Sequence, residues 1–112
     1  MRSIKKNSRF RTIYSTAKSR ADRLLVIYRA PGEEETSRLG ITVSGKIGHA
    51  VVRNRIRRRI REDVRLHEER FLPGYDIIFV ARKPAAEADY HELEASVLKL
   101  SASMGLLKEV KG

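Results

Sequence analysis

Arg53, Arg57, Arg61 and Arg65 recur at every fourth position, with Arg55, Arg58 and Arg59 between them and Asn54 beside the first. On an α-helix, residues four apart share a face, so this spacing lines up a row of guanidinium groups. Each guanidinium is a planar fork of donors that grips a phosphate bidentately and stacks on a base. Arginines at i, i+4 repel one another when exposed. A whole ladder of them on one short helix is hard to explain by stability, whereas a polyanion relieves the repulsion. The plainer alternative is a basic face that meets only water.

Other chemistries find less support. His49, His67 and His91 are scattered, and no two of them stand at the i, i+4 spacing of helical metal ligands. Glu33, Glu34 and Glu35 follow Pro31-Gly32 and read as the solvated tip of a loop. Asp76 lies in an apolar run and is expected to be partly buried, but one carboxylate is not an acid–base pair. Gly40, Gly45 and Gly48 are not followed by the Gly-Lys-Ser/Thr of a phosphate loop. With no cysteine there is no thiol nucleophile, disulfide or thiolate metal site. No catalytic set and no metal-ligating set is read in this chain.

The 112 residues carry 24 Lys and Arg against 14 Asp and Glu, a net charge of +10. This length suits one domain, taken as 1–112, with one real core. The charge is concentrated: residues 2–29 hold nine basic side chains against Asp22 alone, and residues 46–65 hold eight against Glu62 and Asp63. The remaining segments are slightly acidic. Two basic blocks can merge on folding into one phosphate-binding surface. The longest clean apolar run, Leu24 to Tyr28, is far below the ~20 residues that span a bilayer. The positive start has no apolar stretch behind it. A cytoplasmic protein without membrane contact is expected.

Hydrophobic periodicity places these groups. A helix is expected over 7–19, capped by Asn7 or Ser8, with Phe10, Ile13, Tyr14 and Ala17 on one face. Leu24 to Arg29 reads as a strand, and Pro31-Gly32 with the glutamates as a hairpin connection. Leu39, Ile41 and Val43 alternate with small or polar residues over 38–44, a half-buried strand. A helix runs from about 49 to 70, with Ile56, Ile60 and Val64 facing inward, Val52 at the margin and the arginines outside. Asp63 is placed to pair with Arg59. Tyr75 to Ala81 is a continuous apolar strand, central in a sheet. Asp89 and Glu92 form a capping box ahead of a last helix striped by Tyr90, Leu93, Val97, Leu100 and Met104, which Gly105 ends. The sum is one α+β domain.

The segment from Lys46 to Glu62, KIGHAVVRNRIRRRIRE, resembles the signature of the bacterial ribonuclease P protein subunit: a lysine and glycine, a short apolar stretch, then Arg53-Asn54-Arg55 opening a basic helix. Residues 4–29 are similar to the opening helix and strand of that family, and GYDIIFVARKP over 74–84 to its last strand. The resemblance covers about residues 4–107. It implies a four-stranded sheet packed with about three helices in the order αβββαβα, like the second domain of ribosomal protein S5, with a left-handed βαβ crossover carrying the basic helix. The fourth strand is expected in 38–47 or before it.

The family assists a catalytic RNA that removes the 5′ leader of precursor tRNA, and the RNA with its magnesium ions performs the hydrolysis. The resemblance therefore implies no cofactor held by the protein and no obligate protein partner. It assigns contact with the catalytic RNA to Lys46, Arg53, Asn54, Arg55, Arg57, Arg58 and Arg61. It assigns contact with the leader to Phe10, Tyr14 and Tyr28, whose own pattern fits core residues equally well. Gly45, His49 and Arg59 depart from the family pattern, which has a lysine, an asparagine and an aliphatic there. Two further readings stand beside this one: a structural protein of ribosomal RNA, and an endonuclease acting alone.

Overall fold

In the computed structural model, which describes residues 1–109, the apolar run Tyr75–Ala81 lies at the centre of a five-stranded sheet. In chain order the elements are β1 (Arg2–Ser3), α1 (Asn7–Thr16), β2 (Lys18–Ala21), β3 (Leu25–Pro31), β4 (Arg38–Thr42), α2 (Ala50–Leu66), β5 (Tyr75–Ala81) and α3 (Tyr90–Ser103). Short 3₁₀ turns follow α2 at Glu68–Arg70 and β5 at Lys83–Ala86. The strands lie in the order β1-β4-β5-β3-β2. β5 runs parallel to β4 and antiparallel to β3, so α2 is the crossover of a β4–α2–β5 unit. The order αβββαβα holds, with the two-residue β1 added at the sheet edge.

The departures from expectation have local causes. Helix α1 ends at Thr16 rather than residue 19: Ser15 and Thr16 turn their hydroxyls back onto the Thr12 carbonyl, and the Ala17 N–H closes the last turn on Ile13. Residues 18–21 then pair with β3, in register Lys18 to Arg29 and Ala21 to Val26, and supply the strand sought in 38–47 or before it. Strand β2 is exposed at all four residues, so no apolar alternation announces it. Lys6, not Asn7 or Ser8, caps α1, with no side-chain bond to the helix. Pro31-Gly32 does not close a hairpin either, because β5 lies between β3 and β4. Helix α2 stops at Leu66, short of residue 70.

Strand pleating divides the side chains between two unequal faces. One face carries Leu25 and Ile27 of β3, Leu39 of β4 and Ile77 and Phe79 of β5, buried against Ile56, Ile60 and Val64 of α2 and Leu93, Val97 and Leu100 of α3. The other face is covered by α1 alone, over a small cluster of Ile4, Ile13, Ala30 and Ile78 with Phe10, Tyr28 and Val80 at its margin. The Asp89–Glu92 capping box forms as expected, and Gly105, at φ +69°, takes the left-handed position after α3. Tyr90 leaves the stripe of its helix and is 50% exposed.

Candidate nucleic-acid interface

Helix α2 keeps its aliphatic seam against the sheet and turns its basic side outward. Arg55, Arg58, Arg59 and Arg61 are exposed, while Arg53 and Arg57 are half-buried beside the seam. Several are oriented by neighbours. Arg55 donates to the Ala86 carbonyl (2.8 Å), and Arg57 donates to Asn54 Oδ1 (3.1 Å) and to the Val43 carbonyl (3.3 Å). Arg65 pairs with Glu62, three residues back, and so is neutralised within its own helix. Arg58 and Arg61 make no hydrogen bond or ion pair among the described residues. Lys46 is exposed in the loop before the helix, where its N–H donates to Ser44 Oγ.

On the opposite face of the sheet, Phe10, Tyr14 and Tyr28 form one continuous cluster. The rings of Phe10 and Tyr14 lie 6.2 Å apart, and those of Tyr14 and Tyr28 meet edge to face at 5.0 Å. Phe10 lies over Gly40: a Cβ there would come within 2.7 Å of the ring, so β4 admits the aromatic only because it has glycine at that point. Tyr14 remains 37% exposed, and its hydroxyl is 2.6 Å from Thr42 Oγ1. A shallow cavity of about 410 Å³ opens beside the rings, lined by Asn7, Arg11, Ile41 and Thr42 as well as Phe10 and Tyr14. The cavity ends at Thr42, and the next carbonyl, that of Val43, holds Arg57 of α2. The aromatic and arginine faces therefore meet at the C-terminal end of β4.

The carboxylates have structural duties. Asp76 is fully buried on the α1 face and accepts from Arg9 Nε (2.8 Å), Arg38 Nε (2.9 Å) and Arg38 Nη2 (2.7 Å). Burial pushes its carboxyl up, but the bonds from Arg38 and Arg9 outweigh that and hold it below the usual range. Glu33 and Glu35 are exposed, as a solvated tip should be, but Glu33 and Glu34 also pair with Arg38, and Glu33 approaches Arg9. Asp63 does not pair with Arg59. It is buried between α2 and α3 with Oδ2 unpartnered, and burial, followed by the nearby Glu94, raises its carboxyl to about 6. Arg59 instead lies over the Tyr90 ring at 5.2 Å, which accounts for an arginine at a position expected to be aliphatic. His67 sits 3.1 Å from Glu94, while His49 and His91 are exposed. Asp63 and His67, four residues apart, both lie near Glu94 of α3. Among the described residues no group of three His, Asp or Glu is arranged to hold a metal ion.

Comparison with known proteins decides the family. The family model described as Ribonuclease P matches residues 1–105. The chain belongs to the bacterial ribonuclease P protein component family. The ribonuclease P protein component of Alkaliphilus oremlandii is 42% identical over 104 residues, covering 93% of this chain and 91% of the relative. The Staphylococcus aureus RNase P protein superposes with a TM-score of 0.90 at 37% identity, covering 96% of this chain and 99% of that one. The Thermotoga maritima RNase P protein gives 0.82 at 28% identity over the whole of both chains. Membership sets aside the ribosomal-protein reading. Within the family pattern, Gly45 lies in open space, where a Cβ would meet nothing, and His49 caps α2 without a side-chain bond. Neither departure is demanded by the backbone. No helix among the described residues is long and apolar enough to cross a membrane.

Proposed function

We propose that this chain works as the protein subunit of ribonuclease P through two faces. The outer side of α2 with its preceding loop binds the catalytic RNA, and the α1 side of the sheet binds the 5′ leader of precursor tRNA. The observation that carries this reading is the junction at Thr42 and Val43, where an open aromatic cluster adjoins a row of arginines. Single-stranded RNA is held by stacking on aromatic rings in a positive groove, at ~1–3 kcal/mol per stacked base. Structured RNA is gripped through phosphates and 2′-hydroxyls, which suits Lys46, Arg53, Arg55, Arg57, Arg58 and Arg61, with Asn54 orienting Arg57. Hydrolysis belongs to the RNA and its Mg²⁺. The protein contributes charge and alignment, and no residue of it enters the bond-breaking step.

The test is reconstitution of the catalytic RNA with and without the protein, at low magnesium, on precursor tRNA. Wild-type protein is expected to raise kcat/KM and to bind the catalytic RNA with a log–log salt slope of roughly −4 to −6, the value for five to seven phosphates. Arg58→Ala with Arg61→Ala weakens that binding and leaves the fold intact, since neither side chain has a partner among the described residues. A slope near zero, or cleavage by protein freed of all RNA, defeats the proposal.

A further inference from the structure

The outer edge of the sheet carries a second basic concavity that neither face described above uses. Lys18 and Arg20 of β2, Arg29 of β3, and Ser103 and Gly105 at the end of α3 line a cavity of about 510 Å³. Three cations enter its wall and no carboxylate does. Lys18 stands directly opposite Arg29 in the β2–β3 ladder, and Arg20 follows two residues on, so all three project to the same side of the sheet. Like charges directly opposite each other on paired strands destabilise the pair. Lys18 and Arg20 find no counter-ion among the described residues. Arg29 is held in place by donating Nη1 to the Met104 carbonyl and by lying over the Tyr75 ring at 5.5 Å. A fixed guanidinium flanked by two cations without counter-ions is a seat for a phosphodiester group.

Its position identifies which RNA reaches it. Ser19, between Lys18 and Arg20, pairs with Tyr28, the ring of the aromatic cluster that lies next to β2, and so points to the α1 side of the sheet. The two surfaces are thus separated only by the thickness of β2, an edge strand with no neighbour on its outer side. Helix α2, with its arginines, packs on β4 and α3 and does not adjoin this edge. The geometry points to a phosphate subsite for the precursor-tRNA leader: a strand stacked on Tyr14 and Tyr28 continues over the edge of β2 and places a backbone phosphate among Lys18, Arg20 and Arg29. This rests on the leader reading given above and extends it to longer leaders.

The experiment uses the holoenzyme, reconstituted with its catalytic RNA, and precursor tRNAs with leaders of increasing length. The variant is Lys18→Ala with Arg20→Ala; both side chains are exposed and have no counter-ion among the described residues, and Arg29 is left to hold the end of α3. Affinity for a long-leader substrate is expected to fall ~10-fold at about 0.1 M salt, with the salt slope shallower by one to two. Substrates whose leaders end within the aromatic cluster, and the catalytic RNA itself, should bind within twofold of wild type. Equal loss at every leader length overturns the subsite, as does loss confined to binding of the catalytic RNA. Phe10→Ala separates the two proposals. If it weakens leader binding while the double variant does not, the cleft stands and the edge site falls. If neither changes leader dependence, both fall.

Discussion

The two faces of one sheet are built for different ends. On the α2–α3 side, Ile27, Leu39, Ile77 and Phe79 disappear under two long amphipathic helices, and the core is continuous from β3 to the end of α3. On the α1 side, a ten-residue helix contributes to a cluster of only four buried apolar residues. It is fastened by a buried carboxylate with two arginines, and its remaining aromatics stay partly open. Hydrophobic burial scales with area removed from water, so most of the folding free energy must come from the first face. The second face is left free to bind. A sheet that divides labour in this way keeps its more open side from dictating its stability.

The sharpest break between the faces is expected in their cores. Phe79→Ala, which empties a fully buried site between Ile27 and Ile41 in the ladder, should cost about 3–5 kcal/mol in denaturant unfolding. Next comes Asp76→Asn, at about 3 kcal/mol near neutral pH, because Arg9 and Arg38 keep their positive charges and lose the negative one between them. The carboxyl is held low in the folded protein, so its contribution is present above the ordinary Asp range and is lost as pH falls through the lowered value. An Asp76→Asn variant that loses stability equally at every pH would mean that charge pairing is not what fastens α1. The loosened α1 should also raise KM for leader-bearing substrate more than it changes affinity for the catalytic RNA.

Asp63 supplies a smaller test with the opposite sign, on the well-packed face. Burial lifts its carboxyl to about 6, above the ~3.9 of an unfolded chain. The folded state therefore keeps a proton that the unfolded state releases. Stability is undiminished below about pH 4, declines as pH rises toward 6, and is lower by roughly 3 kcal/mol above that. Asp63→Asn should flatten this decline and raise the melting temperature at pH 7 by a few degrees. The charged or polar groups that act on Asp63 are Glu94 on α3, Arg59 and Glu62 on α2, and His67 just past its end.

What the sequence made legible follows where the free energy lies. The heavily packed face was readable: the central strand at 75–81 falls on the residues expected, and the α2 seam of Ile56, Ile60 and Val64 is the buried one. Apolar periodicity records burial, and burial is greatest there. Strand β2 was not readable, because Lys18-Ser-Arg-Ala gains its structure from backbone pairing with β3 and buries nothing. The ion cluster around Asp76 was also hidden. Its members are scattered at 9, 33, 38 and 76, and only the parallel register of β4 on β5, Arg38 opposite Asp76, brings them together. Tyr90 read as core because its spacing fits the α3 stripe, but at the first turn of the helix it stays half exposed and meets Arg59 instead. The arginine face was legible as a helix side, while the pairing of Arg65 with Glu62 within it was settled only by the structure.

The smallest expected change in stability is the most demanding test of the comparison. Tyr14 touches Tyr28 and Thr42, yet more than a third of it faces solvent, so Tyr14→Ala should cost no more than about 1 kcal/mol. Phe10→Ala should cost more, since its ring fills the space above Gly40. If the aromatic cluster is a binding surface, Tyr14→Ala must lose most of the preference for leader-bearing over leaderless substrate, by ~5-fold or more, while its unfolding curve barely moves. A core residue gives the reverse, a large loss of stability with substrate preference unchanged among the molecules that still fold. Measuring denaturation midpoint and leader discrimination on the same preparation places Tyr14 on one side or the other.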